Sequence, residues 1–190
     1  MILSPDNPFA IFIALCWLVF VIVWAVSAFF VKRTVERSMG WARLLVIAIG
    51  IMLFGTIFRF GAMWRPLWAR TAWTGALGAL LTAAGLAVAV WARLVLGRNW
   101  SGTITFKENH ELIMRGPYAH VRHPIYSGLL LMLLGTAVES ARPRAFVMLA
   151  LAFVVLAIKA RFEEELMIRH FPDAYLQYRR RVKALIPGVW

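Results

Sequence analysis

Residues 9–31 read FAIFIALCWLVFVIVWAVSAFFV, an apolar run without a single charge. At 1.5 Å per residue a helix over this run is about 35 Å long, enough to cross a hydrocarbon core of roughly 30 Å. Asp6 precedes it and no small-residue cleavage site follows, so the run reads as a retained span rather than a cleaved leader. Two comparable blocks extend from Trp41 to about Met63 and from about Trp73 to Leu96. Two shorter ones run from Ile125 to Val138 and from Ala145 to Ile158, joined by the turn-like link Glu139–Arg144. Fourteen residues reach only about 21 Å as a helix, so the first of this pair crosses only if it starts near Pro124. The predicted fold is all-α: a polytopic membrane protein of about five transmembrane helices. Gly75, Ala79 and Ala83, four residues apart, would let the third helix pack closely on a neighbour.

Composition agrees with this reading. The chain has 190 residues, of which 62% are apolar, well above the half typical of soluble domains. Its formal charge of +12 rests on 21 Lys and Arg against 9 Asp and Glu. If the blocks alternate across a bilayer, sixteen of those cations fall on the face holding the first loop, the third loop and the C-terminal tail; Arg59, Arg65, Arg70, Arg142 and Arg144 fall on the other. The positive-inside rule then places the third loop and the tail in the cytoplasm. No basic tract is interleaved with stacking aromatics on a polar domain, which argues against nucleic acid as a partner. Cys16, the only cysteine, can form no intrachain disulfide.

Polar chemistry gathers on the same face. The third loop carries Leu96-Gly-Arg-Asn-Trp-Ser-Gly102 and then His110 through Gly128. Gly116-Pro117 is a predicted bend, and Pro124 suits the first turn of a helix because its missing N–H has no helical partner there. The bend would deliver Tyr118, Arg122 and His123 to a helix mouth, where free N–H groups and the positive dipole end favour a carboxylate. From the tail come Lys159, Arg161, Glu163, Glu164 and Glu165, then His170, Asp173, Tyr175 and Tyr178. Three adjacent carboxylates repel one another, a cost reduced if one faces a cation or a donor-rich group. Glu165 and Arg169 also match an i, i+4 pair on a solvated face. His110, His120, His123 and His170 lack the paired spacing of a zinc site, and no metal is expected. The tryptophans read as an interfacial belt.

The ordered set Asn99-Trp100-Ser101, His110-x-Leu112, Gly116-Pro117-Tyr118, Arg122-His123-Pro124-x-Tyr126, Glu163-Glu164, Phe171, Tyr175, Tyr178 and Pro187 resembles the isoprenylcysteine carboxyl methyltransferase family. The match covers about the last half of the chain. It implies a cytosolic pocket for S-adenosylmethionine, formed where the third loop folds onto the tail. His110, Glu111, Leu112 and Ile113 would hold the cofactor through backbone groups. Tyr118, His123, Pro124, Ile125 and Tyr126 would line the pocket, and Glu163 and Glu164 would complete it. The arginine that engages the substrate carboxylate in the family falls on Lys159, with Arg161 nearby; Lys offers a point charge without the two-pronged geometry of Arg. Pro172 stands where the family usually has Gly.

The chain is thus expected to be one domain, with helices 1–3 in residues 1–95 and the loop, helical hairpin and catalytic tail in residues 96–190. Its expected reaction is carboxyl O-methylation of a lipidated or lipid-like acceptor, such as a prenylcysteine, held in the bilayer. N-methylation of a phospholipid or other amine is the nearest alternative and would need a base. An NADPH-dependent lipid reductase is a more distant one.

Overall fold

Helix α1, Pro8–Ala28, begins where the Asn7 side chain accepts the backbone N–H groups of Phe9 and Ala10 at 3.1 and 3.2 Å, with Pro8 in the first turn. The computed structural model describes residues 7–29, 34–37, 61–97, 105–107 and 112–189. The apolar block from Trp41 to Met63 lies outside them except at its last residues. Helix α2, Ala72–Leu96, opens on a reciprocal cap: Thr71 accepts the Thr74 N–H at 3.2 Å, and Thr74 accepts the Thr71 N–H at 3.0 Å. Helix α3 spans Pro124–Ser140, α4 Pro143–His170 and α5 Pro172–Arg181, each with a proline in its first turn. Among the described residues α1, α2 and α4 are long and apolar enough to cross a membrane, and α3 is a shorter apolar helix.

Several boundaries differ from the sequence reading for local reasons. Helix α3 does start at Pro124, and its 17 residues reach about 25 Å. The predicted six-residue link shrinks to Ala141 and Arg142, because Ala141 turns into the left-handed region (φ 54°) and caps α3 through its N–H to Ala137 O. Among the described residues the helical pattern is interrupted by one short antiparallel pair, β1 Thr34–Arg37 with β2 Thr105–Lys107.

The tightest packing is between α2 and α3, which run antiparallel. The contact stripe on α2 is Gly78, Thr82, Gly85 and Ala89, and it meets Gly128, Met132, Gly135 and Glu139, whereas Gly75 stands against Phe9 of α1. That stripe alternates steps of three and four, the spacing of one helix face held against an antiparallel partner. The expected Ala79 and Ala83 flank it and are only half-buried. A Cβ on Gly85 would stand 2.5 Å from Gly128 O, and one on Gly128 would stand 2.6 Å from Gly85 O. Without a side chain at either position, backbone lies on backbone.

Helix α1 runs alongside α2 and is tied at both ends. Asn7 donates to Glu139 Oε1 at 2.7 Å and Trp17 Nε1 donates to Thr136 Oγ1 at 3.1 Å. At the opposite end the buried Arg93 donates to Ser27 O at 2.9 Å and to Gly97 O at 2.6 Å, a cation on the carbonyl ends of two helices. The bundle therefore has two ends: one with Ser27, Arg93 and the start of α3, the other with Asn7, Thr71 and the end of α3. Leu18, Leu80 and Val154 are more than half exposed, as side chains that face lipid are.

Candidate functional site

Helix α4 has 28 residues and a length of about 42 Å, some eight residues more than a hydrocarbon core of roughly 30 Å requires. Its last turns, carrying Lys159 to His170, thus stand beside the N-terminus of α3 at the membrane edge. The backbone reaches α3 through Gly116, whose φ of +61° suits a residue without Cβ, and through a 3₁₀ turn over Gly116–Ala119. The bend predicted at Gly116-Pro117 is there.

Five side chains interlock where α4 meets the start of α3. Tyr126, on the first turn of α3, donates its hydroxyl to the Glu163 carboxylate, 2.7 and 2.8 Å from the two oxygens. His123 lies parallel to the Tyr126 ring with centroids 5.3 Å apart, its Nδ1 3.6 Å from Glu163 Oε2 and its Nε2 3.2 Å from Glu164 Oε1. Arg122 places Nε at 2.8 Å and Nη2 at 2.7 Å from Glu164 Oε1. Arg179 of α5 stands 3.5 Å from the other Glu164 oxygen.

The C-terminal strand-like segment closes this cluster from below. Arg122 N–H donates to Lys183 O at 2.8 Å and His123 N–H to Ala184 O at 3.0 Å. Ser127 Oγ donates to Leu185 O at 2.5 Å, and the Arg122 guanidinium also donates to Val182 O. Tyr178 donates to Tyr118 O at 2.5 Å, and Tyr118 to Ala92 O at 3.5 Å, which ties α5 through the 3₁₀ turn to the end of α2. Burial pushes the phenols of Tyr118, Tyr175 and Tyr178 well above the usual tyrosine range, so all three stay protonated.

The two glutamates differ in what they can still do. Glu164 is buried and surrounded by Arg122, His123 and Arg179, so its charge is consumed within the protein. Glu163 keeps 24% of its side chain exposed, with the Lys159 ammonium 3.7 Å from Oε1 on the same helix face. Lys159 also stands 5.3 Å from the centroid of the Tyr126 ring. Arg161, two residues further, is turned about 200° around α4 and is exposed. Glu165 and Arg169 are exposed and form no ion pair with each other.

Of the positions singled out from sequence, Tyr118, His123, Pro124, Tyr126, Lys159, Glu163 and Glu164 meet at this one end, and Ile125 lies half-buried in the first turn of α3. Leu112 and Ile113 lie half-buried in irregular backbone ahead of the 3₁₀ turn; His110 and Glu111 fall outside the described residues. Arg179 was missed, because within the run Arg179-Arg180-Arg181 it reads only as orientation charge. The described residues hold no group of His, Cys, Asp and Glu that could bind a metal.

A family model described as phospholipid methyltransferase matches residues 73–174. The protein-S-isoprenylcysteine O-methyltransferase B of Arabidopsis thaliana is 30% identical over 124 residues, 62% of this chain and 61% of that protein. The cobalt-zinc-cadmium resistance protein CzcN of Cupriavidus metallidurans is 29% identical over 156 residues, 81% of this chain and 65% of that one. The chain thus spans less than two thirds of either relative. The solved structure of the eukaryotic intramembrane Ras methyltransferase ICMT (isoprenylcysteine carboxyl methyltransferase) is similar in fold, with a TM-score of 0.59 at 21% identity, over 82% of this chain and 55% of that one. Together with the three helices of crossing length, this likeness makes the chain an integral membrane protein that crosses the bilayer more than once.

Proposed function

The chain belongs to the phospholipid methyltransferase family, and from that premise we propose that it methylates a carboxylate on a lipid-borne acceptor, with S-adenosylmethionine as donor. Its named relatives include isoprenylcysteine O-methyltransferases, which makes a prenylated or similarly lipophilic carboxylate the acceptor class. Residues 96–190 form the catalytic half of a single domain, and the excess of cations at this end supports a cytoplasmic location for the loop and tail.

The observation that carries this reading is the meeting of Lys159, Glu163, Tyr126 and His123 on facing sides of α3 and α4 at the membrane edge. Their donor set fits the cofactor: Glu163 is a partly exposed carboxylate suited to an ammonium or to ribose hydroxyls, beside an aromatic face on Tyr126. When bound, S-adenosylmethionine supplies an electrophilic methyl carbon. Glu163 orients the donor, and Tyr126 and His123 hold the Glu163 carboxylate in place. Lys159, on the Glu163 face of α4, offers its ammonium to the acceptor carboxylate; Arg161 points elsewhere. The acceptor is already ionised at neutral pH and needs no base. What the protein contributes is alignment and exclusion of water, effects worth roughly 7–11 kcal/mol for well-oriented reactants. An amine acceptor would need a proton taken from it, and both nitrogens of His123 already face carboxylates.

Transfer of radiolabelled methyl from the cofactor to a prenylcysteine analogue tests this. Activity should fall at least about a hundredfold in Glu163→Ala and His123→Ala variants that still insert and fold. Full activity in both would remove the site, and transfer to ethanolamine lipid in place of the carboxylate would replace the acceptor.

A further inference from the structure

The Glu164 carboxylate is held unevenly. Arg122 brings two guanidinium nitrogens to Oε1, Nε at 2.8 Å and Nη2 at 2.7 Å, and His123 Nε2 lies 3.2 Å from the same oxygen. A guanidinium commonly pairs with a carboxylate through two parallel bonds, one to each oxygen. Here the second oxygen, Oε2, faces Arg179 Nε at 3.5 Å. Without that cation, a turn of the carboxylate would let the Arg122 fork take both oxygens and would draw Oε1 away from His123.

We propose that Arg179 is a positioning residue for methyl transfer: by holding Glu164 Oε2 it keeps Oε1 on His123, and through His123 it fixes the Glu163 carboxylate that orients the donor. The inference rests on the function proposed above and adds to it a residue of α5, outside the group that faces the reactants. The other ring nitrogen of His123, Nδ1, stands 3.6 Å from Glu163 Oε2. The ring also lies parallel to that of Tyr126, whose hydroxyl donates to the same carboxylate. An imidazole that swung off Glu164 would therefore loosen both contacts on Glu163, and alignment of reactants is sensitive to displacements of about 1 Å.

The fold does not need this side chain. Helix α5 is anchored by the buried Tyr175 and Tyr178 and by the Tyr178 hydroxyl on Tyr118 O. Arg122 Nη1 adds bonds to the Arg179 carbonyl at 3.3 Å and to Val182 O. All of these use the backbone of Arg179 or other residues, so they survive its replacement. The Arg179 side chain itself is 52% exposed, and its pair with Glu164 is of the solvent-screened kind that adds little to stability. Arg180, next along α5 and also exposed, is turned about 100° away and serves as the control cation.

The test uses the full chain in detergent micelles, with its histidine ring nitrogens isotope-labelled for NMR. The imidazole signals of His123, assigned by their loss in His123→Gln, report the hydrogen bonds of both ring nitrogens. Arg179→Gln should shift them while leaving in place those of His170, the last residue of α4, whose ring is held at 2.9 Å by Leu166 O. The melting temperature should not change. KM for S-adenosylmethionine should rise about fivefold, with KM for a prenylcysteine analogue near the parent value. Arg179→Lys should restore most of the loss, and Arg180→Gln should change nothing. A purely structural role would instead lower the melting temperature, move the His170 signals with α5, and reduce the amount of active enzyme without altering either KM; that result would overturn the proposal. So would unmoved His123 signals in Arg179→Gln, or moved signals with an unaltered KM for the donor. A parent that transferred no methyl, with His123 still responding to Arg179→Gln, would overturn the methyltransferase reading and leave the alignment of Glu163 by Arg179 standing.

Discussion

Between Gly85 and Gly128 two helices meet through bare backbone, whereas between Arg122 and Glu164, 42 residues apart in the chain, two segments meet through the longest charged side chains available. The first contact works because nothing projects from it. A lipid-exposed helix gains little from hydrophobicity against its neighbour, so close packing must hold the seam together. The second works because everything projecting is partnered: one oxygen of Glu164 receives Arg122 and His123, the other faces Arg179, and the remaining Arg122 donors reach carbonyls of the C-terminal segment. The seam fixes where α3 lies in the bilayer, and the charged cluster fixes how the tail folds beneath it. Position and alignment of the site thus depend on two different kinds of contact, which mutations can separate.

The largest effect should come from removing one side of the charged cluster. Glu164→Ala leaves the Arg122 guanidinium, 9% exposed, without its counter-charge, and loss of one partner of a buried pair costs about 3–5 kcal/mol. Denaturant-induced unfolding monitored by tryptophan fluorescence should register it, with the tail becoming protease-sensitive first. If Glu164→Ala were as stable as the parent, the cluster would be solvated and the comparison with the seam would fail. The seam should respond next. Gly85→Ala puts a Cβ 2.5 Å from a backbone oxygen that cannot rotate away, an overpacking that costs about 1–3 kcal/mol. Ala79→Leu, on the half-buried flank, should cost clearly less; equal losses would mean that the stripe follows the four-residue spacing after all.

That seam illustrates what can be read from residues alone. The long apolar runs predict α1, α2 and the α3–α4 pair because length and lack of charge are local properties. The bend at Gly116 and the start at Pro124 are legible for the same reason: each is the backbone chemistry of one or two residues. Which small residues face a partner is not local. Gly75, Ala79 and Ala83 and the observed Gly78, Thr82, Gly85 and Ala89 are both regular stripes on one helix, and only the partner decides between them. Arg93 is one of the sixteen cations that the sequence assigns to the loop-and-tail face, yet it is buried on Ser27 O, 66 residues away. The pairing of Asn7 with Glu139 spans 132 residues and has no sequence signature at all. Within the site, the order of residues announced His123, Tyr126, Glu163 and Glu164, but the saturation of Glu164 beside the open Glu163 depends on where α5 places Arg179.

A smaller effect is expected where the two regions join. Tyr178→Phe removes the hydroxyl that donates to Tyr118 O and should cost about 1 kcal/mol. The same phenol gives a pH signature. Burial chiefly, with Glu164 adding to it and Arg122 opposing it, raises the pKa of Tyr178 above the value near 10 of an unfolded tyrosine. Below about pH 10 both states are protonated and stability is unaffected; above it the unfolded chain loses its proton first, so stability falls as pH rises. Thermal melts between pH 8 and 11 should therefore decline only at the alkaline end, and less steeply in Tyr178→Phe. A decline of the same slope in the variant would assign it to Tyr118 and Tyr175, which are shifted in the same direction.

The smallest change in stability is expected at Lys159 and Arg161, and there the site alone is tested. Arg161 is exposed on the far side of α4, and Lys159, part-exposed, makes a solvent-screened ion pair, so neither Lys159→Ala nor Arg161→Ala should move the melting temperature beyond the scatter of surface substitutions. Their effects on methyl transfer should nevertheless differ. Lys159 shares a face of α4 with Glu163, and its loss should raise KM for a carboxylate acceptor roughly tenfold while leaving KM for S-adenosylmethionine near the parent value. Lys159→Arg should recover the acceptor KM, since either cation can meet a carboxylate and the planar fork meets it better. Arg161, about 200° away around the helix, should leave both constants unchanged. A raised acceptor KM in Arg161→Ala with none in Lys159→Ala would mean that the acceptor approaches α4 from its opposite face, and that the group of side chains around Glu163 holds the tail in place without touching the substrate.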